Sequence, residues 1–400
     1  MSKSLLVLGR QPALGLAELE SLYGAVAVST VSSHVAIVDM PATEIAFSRL
    51  GGSTRLASLI TEVPGKLWKD VEKELTRILP GLAAKLPEGK IRLGLSAIGI
   101  PVTPGKLIAS GLTLKKVLRG KTGRSVRLVP NTETELNAAQ VLHNQLTGQT
   151  GIEILVIATA AGNTLLAQTT AVQDIDSYAE RDRGRPMRDA RVGMLPPKLA
   201  QIIINLAAGQ NRDSGLETRV SILDPFCGTG VILQEALLMG YDVYGTDLEL
   251  RMVDFTKANM EWLTGKNYPV AGTYHVEVGD ATNYQWTTPI NGVAGETYLG
   301  RAFTDKPSTE VLAQTVSEVN LILKKFLKNL YSQLAPGTPL CLAVPAWQTA
   351  PDTFKHLPLI DDLAELGYNR TRFEHVRDGQ LLYYREDQTV ARELLVITRK

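Results

Sequence analysis

Asp224-Pro225-Phe226-Cys227-Gly228-Thr229-Gly230 follows the apolar stretch Ser221-Ile222-Leu223 and leads into an apolar segment of helical spacing. That order describes a strand, a tight turn and a helix. Gly228 and Gly230 lack a Cβ, so a ligand can approach the backbone closely. The helix start offers unpaired N–H groups and the positive end of a dipole to a carboxylate or phosphate. The spacing is neither G-x-G-x-x-G nor a P-loop. The next strand, Asp242–Thr246, ends at Asp247, where an acid accepts hydrogen bonds from the two hydroxyls of a ribose. The third strand ends at Asp280, in position to meet the exocyclic amine of a purine. On three successive strands these residues describe a pocket for an adenosine with a short polar tail, S-adenosylmethionine more readily than NAD. Each has a plainer reading alone: a turn, a helix N-cap for Asp247, a turn residue for Asp280. Order and spacing favour binding. Cys227 has no His or Asp spaced to activate it and reads as a packing residue.

The elements that must position these residues alternate. From Val220 onward strands and helices take turns: Val220–Leu223, Val231–Met239, Val243–Thr246, Leu250–Leu263, Thr273–Val278, Glu310–Leu334 and Leu340–Val344. Such alternation means a parallel, doubly wound sheet, closed here by an antiparallel hairpin of Arg372–Val376 and Leu394–Thr398. The first 64 residues read as a compact α/β piece, with strands at Leu5–Gly9, Val35–Asp39 and Leu56–Val63 and helices at Leu14–Tyr23 and Thr43–Leu50. Residues 65–173 form a second piece: helices Trp68–Leu86, Lys106–Leu118 and Glu135–Leu146, and strands Ile91–Ala97, Val126–Val129, Ile152–Ala158 and Thr164–Ala171. The charged stretch 174–190 reads as a linker, and 191–400 as the last domain.

Composition bounds the class. A chain of 400 residues exceeds one ordinary domain. With 44% hydrophobic and 21% charged residues, disorder throughout is excluded. Two cysteines make neither a disulfide framework nor a zinc cage, and they fit a reducing cytoplasm. The five histidines show no metal-ligand spacing. No stretch approaches the roughly 18–20 apolar residues of a membrane span. A net charge of +1 argues against indiscriminate coating of nucleic acid. Its distribution is uneven, however. Between Lys85 and Arg127 the only acid is Glu88. Lys106, Lys115, Lys116, Arg119, Lys121 and Arg124 belong to this window and are candidate phosphate contacts, which position RNA without reading its sequence.

The loop Asp224–Gly230 resembles the cofactor loop of amino-methyltransferases acting on nucleic-acid bases. Tyr178–Ala207 is similar to the segment that precedes this loop in THUMP-domain tRNA guanosine-N2 methyltransferases. Leu136–Leu146 and Leu166–Tyr178 resemble the end of their THUMP module, Gly9–Gly24 their N-terminal ferredoxin-like piece, and Tyr383–Ile397 their closing hairpin. The resemblance implies a Rossmann-like methyltransferase domain behind an N-terminal RNA-binding region, S-adenosylmethionine as cofactor and tRNA as substrate. It implies that Asp224, Gly228 and Gly230 line the methionine part, Asp247 the ribose and Asp280 the adenine. Pro225, Phe226, Cys227, Leu248 and Ala281 flank them as further cofactor contacts, and Met194 with Leu195 closes the pocket.

One segment departs from the family. The fourth strand there ends in Asp/Asn-Pro-Pro-Tyr, whose first residue accepts hydrogen bonds from the target amine and whose aromatic ring stacks on the flipped base. Here the strand end is Gly295-Glu296-Thr297-Tyr298. Tyr298 keeps the stacking position; the acid is lost at Gly295, and Glu296 and Thr297 replace the prolines. Glu296 supplying the carboxylate from one position later leaves Glu296, Thr297 and Tyr298 as the catalytic candidates. The alternatives are a changed target atom, or binding of cofactor and RNA without transfer. The expected activity is methylation of an exocyclic base amine in tRNA, guanosine N2 first, with ribosomal RNA, DNA or a non-catalytic RNA-binding role as alternatives.

Overall fold

The computed structural model describes residues 2–189, 194–209, 219–266, 268–301, 303, 307–385 and 388–400. In chain order its first half holds β1 (Ser4–Leu8), α1 (Pro12–Tyr23), β2 (Val28–Ser32), β3 (Val35–Val38), β4 (Ser53–Val63), α2 (Trp68–Ala84) and β5 (Ile91–Ile98). Then follow α3 (Pro104–Thr122), β6 (Val126–Leu128), α4 (Ala138–His143), β7 (Gly151–Ala158) and β8 (Thr164–Val172). The second half begins with α5 (Ile175–Arg183), α6 (Pro197–Ala208), β9 (Ser221–Asp224), α7 (Val231–Leu238), β10 (Asp242–Asp247) and α8 (Leu250–Gly265). It continues through β11 (Tyr274–Val278), β12 (Gly292–Glu296), α9 (Thr309–Tyr331), β13 (Pro339–Ala350), β14 (Thr353–Lys355), β15 (Tyr368–Arg370), β16 (Leu382–Tyr383) and β17 (Val390–Arg399).

Two compact units emerge. The first comprises residues 1–12, 26–48 and 53–176; the second takes 13–25, 49–52 and 177–400. The first unit is built on one eight-stranded sheet, ordered β2-β3-β1-β4-β8-β7-β5-β6. The strands of both expected N-terminal pieces therefore share a single sheet. Its core is made by α2 and α3 over β5 and β7. Val71, Leu75, Leu79 and Ala83 recur every fourth residue of α2 and are fully buried, as are Leu107 and Leu118 of α3. Thr103 caps α3 by accepting from the Lys106 N–H at 3.2 Å, and Gly123 ends it in the left-handed region at φ 68°.

A buried polar network crosses this sheet. Glu153, fully buried on β7, accepts from Arg55 Nη1 at 2.9 Å, Ser96 Oγ at 2.6 Å and Thr169 Oγ1 at 2.6 Å. Ser96 in turn accepts from the Leu136 N–H at 3.0 Å. One carboxylate thus ties β4, β5, β7 and β8 together.

The second unit has the sheet order β11-β10-β9-β12-β13-β17-β15, with β14 and β16 attached at β13 and β17. The five strands from β11 to β13 run parallel, and β17 is antiparallel to β13 and β15. The expected doubly wound sheet and its antiparallel closure are present. The strand order reverses between β9 and β12, and ligands of such sheets bind at the carboxyl ends of strands beside that reversal. Leu323, Phe326 and Leu330 of α9 fill the core against Leu223, Val293 and Leu340. Trp286, with a Nε1–H to Thr246 Oγ1 bond of 3.3 Å, packs there too.

Several elements differ from the sequence-based expectation. The polar stretch after Val172 is not a plain linker: it forms α5, whose Arg181 makes a buried ion pair with Glu235 at 2.7 Å. Ala190 and Arg191, where linker and last domain were expected to meet, lie outside the described residues. Residues 43–50 hold two short 3-10 turns in place of a helix. Val28–Ser32 is an additional strand, and Arg372–Val376 is not one, since β17 takes β15 as its neighbour instead. The helix α1, continuous in sequence with β1, belongs to the second unit from Ala13 onward. There the buried Glu18 accepts from the N–H groups of Gly51 at 2.9 Å and Gly52 at 2.8 Å and from Asn205 Nδ2 at 2.7 Å. Replacing Glu153 with alanine strands a buried guanidinium and two hydroxyls. Glu153→Ala is expected to cost the first unit about 3–5 kcal/mol, measured as a lower urea midpoint; a change under 1 kcal/mol would remove this network from the list of what holds the sheet together.

Candidate functional site

β9 delivers Asp224 and the glycine loop to the start of α7. Gly228 and Gly230 both have positive φ, 51° and 83°. A Cβ on Gly230 would lie 2.8 Å from Thr256 Cγ2, so this turn needs glycine for both its conformation and its packing. Side chains of α8 hold the loop from behind: Thr256 Oγ1 donates to the Gly228 carbonyl at 2.7 Å, and Asn259 Nδ2 to the Thr229 carbonyl at 2.8 Å. Cys227, 5% exposed, packs under the loop against β10, with its thiol pushed well up by burial. It is the packing residue the sequence suggested.

A cavity of about 510 Å³ opens over the carboxyl ends of the strands, within the size range of small-molecule sites. Asp224, Pro225, Phe226, Cys227 and Gly228 line one side of it, and Asp247, Leu248, Asp280 and Ala281 another. Of the expected cofactor contacts Met194 is 42% exposed and absent from the lining, and its neighbour Leu195 takes that place. Gly230 acts from underneath, as the N-cap of α7.

The acids have distinct surroundings. Asp247 Oδ2 accepts from the Gly228 N–H at 2.9 Å and Oδ1 from the Glu249 N–H at 3.0 Å. Each carboxylate oxygen has a second lone pair for a hydroxyl, so Asp247 both braces the loop and remains able to bind a diol. Asp280 Oδ1 accepts from Thr282 N at 2.9 Å and Thr282 Oγ1 at 2.8 Å, and Oδ2 from Asn283 Nδ2 at 3.3 Å. It is a turn-forming residue that also faces the cavity. Asp224, 2% exposed, accepts from the Phe226 N–H at 3.2 Å. Burial, reinforced by the charges of Asp247 and Glu296, holds its carboxyl well above the usual range.

The end of β12 sets Gly295 against Asp224 and brings Glu296 to the cavity. A Cβ on Gly295 would lie 2.7 Å from Asp224 Oδ1, so a side chain there would have to displace the Asp224 carboxyl. Glu296 stands at the strand end and lines the cavity. Its Oε1 accepts from Arg392 Nε of β17. Burial raises the Glu296 pKa and the Arg392 charge opposes the rise. Thr297, 3% exposed, is turned into the sheet: its N–H and Oγ1 both donate to the Ala343 carbonyl, at 3.0 and 3.2 Å. Thr297 also lines the cavity, with the hydrogen of its hydroxyl given to Ala343. Tyr298, 41% exposed, stands at the rim.

Sequence reasoning missed four contributors named here. Glu318 and Ile322 of α9 line the cavity, and nothing in their spacing separates them from the rest of an amphipathic helix. Arg392 is 96 residues from its partner, beyond any local pattern. Thr229, inside the glycine loop, also lines the cavity.

The basic window divides as well. Lys116, Arg119 and Lys121 are exposed on or near the last turns of α3, and Lys115 is half-buried. Lys106 is paired with Glu72 at 3.0 Å. Arg124 is a structural clamp: its guanidinium donates to the carbonyls of Ala83, Leu86, Pro87 and Gly89, and it is removed from the phosphate-contact candidates. Among the described residues no group of three or more His, Cys, Asp or Glu is arranged to hold a metal, and no helix is long and apolar enough to cross a membrane.

Comparison with known proteins bears on the second unit. Residues 188–330 match the family described as RMKL-like, methyltransferase domain. The chain is 34% identical over 154 residues to a tRNA (guanine(10)-N2)-dimethyltransferase of Methanothermobacter thermautotrophicus, covering 38% of this chain and 39% of that protein. It is 36% identical over 142 residues to the protein of the same description from Pyrococcus abyssi, covering 35% and 36%. The chain thus spans about two fifths of the length of these curated relatives. Among solved structures, TrmN from Thermus thermophilus superposes with a TM-score of 0.50 at 16% identity, over 100% of both chains; at that identity the likeness is one of fold. The second unit therefore has a Rossmann-like fold, and residues 188–330 within it match the sequence model of a methyltransferase domain.

Proposed function

We propose that this chain methylates an exocyclic base amine of tRNA, guanosine N2, with S-adenosylmethionine as cofactor. The observation that carries the proposal is one cavity lined by the glycine loop, Asp247, Asp280, Glu296 and Tyr298. The residues fit the cofactor. The loop leaves the start of α7 open to a carboxylate, Asp247 keeps lone pairs for a ribose, and Leu248 and Ala281 supply apolar surface for a purine. The printed names of the curated relatives support the tRNA guanine reading.

The bound cofactor supplies a methyl group on a sulfonium, already activated for transfer. Glu296, ionised by its partnership with Arg392, accepts an N–H of the target amine through its other oxygen and aims the nitrogen lone pair at the methyl carbon. With the cofactor bound, transfer would break its sulfonium S–CH3 bond and leave S-adenosylhomocysteine, and the amine proton displaced by the new N–C bond would pass to Glu296 or to water. Tyr298 stacks on the extruded base. Counted from Gly295, the family's four-residue motif falls on Gly295-Glu296-Thr297-Tyr298, with Tyr298 at its aromatic fourth position. The N-terminal region, whose residues 1–64 and 65–173 resemble ferredoxin-like and THUMP-like pieces, grips the RNA through α3, leaving Lys115, Lys116, Arg119 and Lys121 as the phosphate contacts.

Labelled methyl transfer to unmodified tRNA, followed by nucleoside mass analysis, is expected to yield N2-methylguanosine. No labelled RNA of any kind, with cofactor binding demonstrated, would sink the proposal. Glu296→Ala is expected to lower kcat by about 10²–10⁴-fold with tRNA affinity unchanged. Turnover requires Glu296 ionised, so the rate rises with pH through the raised Glu296 pKa. Removing the Arg392 charge raises that pKa further, so Arg392→Met is expected to move the acid limb of the kcat profile to higher pH; a limb that stays in place or moves down contradicts this role. Alanine at Lys115, Lys116, Arg119 and Lys121 together is expected to flatten the slope of log K against log salt by about 3, at roughly 0.7–0.9 per lost phosphate contact. Unchanged filter-binding curves would exclude α3 from the RNA surface.

A further inference from the structure

α9 presents Glu318 and Ile322 to the cavity, four residues apart and so on one face of the helix. One turn further on, Phe326 enters the core, where its ring meets Phe226 edge-on at 5.0 Å. The row therefore carries its acid at the mouth and its apolar groups inward. A close approach holds this acid near the end of β12. Gly300 has φ 86°, and a Cβ there would lie 2.7 Å from Thr315 Cγ2 and 3.4 Å from Val319 Cγ2. Glycine at this position lets the backbone that follows Tyr298 press against the turn of α9 that bears Glu318.

The fold does not depend on Glu318. It is exposed, and among the described residues it has neither a hydrogen-bond partner nor a cation at ion-pair distance. Its field reaches the aromatic rim all the same: burial first and the Glu318 charge second raise the Tyr298 phenol pKa, and the Arg301 charge opposes them. Of the other acids lining the cavity apart from Glu296, Asp224, Asp247, Glu249 and Asp280 stand at or just after the ends of β9, β10 and β11, whereas Glu318 approaches from α9. The edge of guanine that carries the N2 amine also carries N1–H beside it, and both are donors. Adenine has a lone pair at N1. An ionised carboxylate only accepts, so it attracts the first edge and repels the second. Resting on the guanosine reading above, we propose that Glu318 is the specificity-determining residue for the base: its carboxylate accepts the N1–H of a guanine stacked on Tyr298 while Glu296 holds the N2 amine. An extruded base is read in this way, through hydrogen bonds to its Watson–Crick edge, and a site built to accept from an N–H rejects the analogue that lacks it.

A base analogue isolates the N1–H. 2-Aminopurine keeps the amine of guanine but has a lone pair at N1 and no O6. The full chain is assayed with labelled S-adenosylmethionine on synthetic tRNA that carries guanosine or 2-aminopurine riboside at the nucleotide located by mapping the methylated transcript. The wild type is expected to prefer guanosine in kcat/KM by about tenfold or more. Glu318→Ala is expected to lower kcat/KM on guanosine by about tenfold or more and to leave 2-aminopurine within about twofold, so that the preference shrinks by the factor lost on guanosine. Equal loss on both substrates would make Glu318 a general contributor to the field of the cavity and overturn the inference. No loss on either would leave it a solvated helix residue, and a wild type without preference would leave it nothing to read; both overturn the inference too. Glu318→Gln keeps an acceptor without the charge, is expected to retain part of the preference, and decides the matter by the same comparison should Glu318→Ala fail to fold. A wild-type chain that methylates no guanosine overturns the guanosine reading itself, a different result from any of these.

Discussion

The carboxyl group of Asp224 packs against the bare Cα of Gly295, and much of the site follows from that contact. β9 and β12 are neighbours where the sheet order reverses, and an acid at the end of each competes for the same space. With Asp224 buried at the first strand end, a side chain at Gly295 would have to push its carboxyl aside. The acid therefore moves one residue outward, to Glu296. Buried there, it needs a counter-charge to stay ionised, and the nearest source is two strands away, since β13 lies between β12 and β17. Two strand spacings amount to roughly 9–10 Å. The longer carboxylate of a glutamate and the long side chain of Arg392 close that gap. A glycine, a glutamate and an arginine far apart in the chain thus form one solution to one steric conflict.

The glycine loop answers to a second constraint, the need to present backbone while remaining rigid. α8 supplies the rigidity through Thr256 and Asn259, and Asp247 pins the Gly228 N–H from β10. The residue expected to meet a ribose is therefore also part of the scaffold, and its replacement changes loop and ligand contact together. Asp280 has the same double character: it forms the turn through Thr282 and Asn283 and faces the cavity.

The sequence made legible whatever depends on period and order. Alternating strands and helices from Val220 revealed the doubly wound sheet, and Asp224, Asp247 and Asp280 at three strand ends revealed the cavity, because strand ends in such sheets converge by geometry. What stayed hidden depends on which side chains meet. Arg124 counts as one more positive charge in a basic window until the four carbonyls around it are seen. Thr297 looks exposed beside Glu296 and Tyr298 until its hydroxyl is found on Ala343. The polar segment after Val172 reads as linker because its charges look solvated; Arg181 and Glu235 instead consume one another inside the domain. The common cause of these misreadings is a polar side chain committed to a partner within the fold, a backbone carbonyl for Arg124 and Thr297 and a carboxylate for Arg181.

Both native thiols, Cys227 and Cys341, are buried, with burial raising their pKa values. The thiolate is the reacting form, so neither competes for maleimide or disulfide reagents in the folded protein. A cysteine introduced at an exposed position such as Lys116 on α3, or Leu248 at the cavity rim, reacts alone. Fluorophores or spin labels can therefore be attached to either unit without first stripping the chain of its own cysteines, which keeps Cys227 in place beneath the loop it supports.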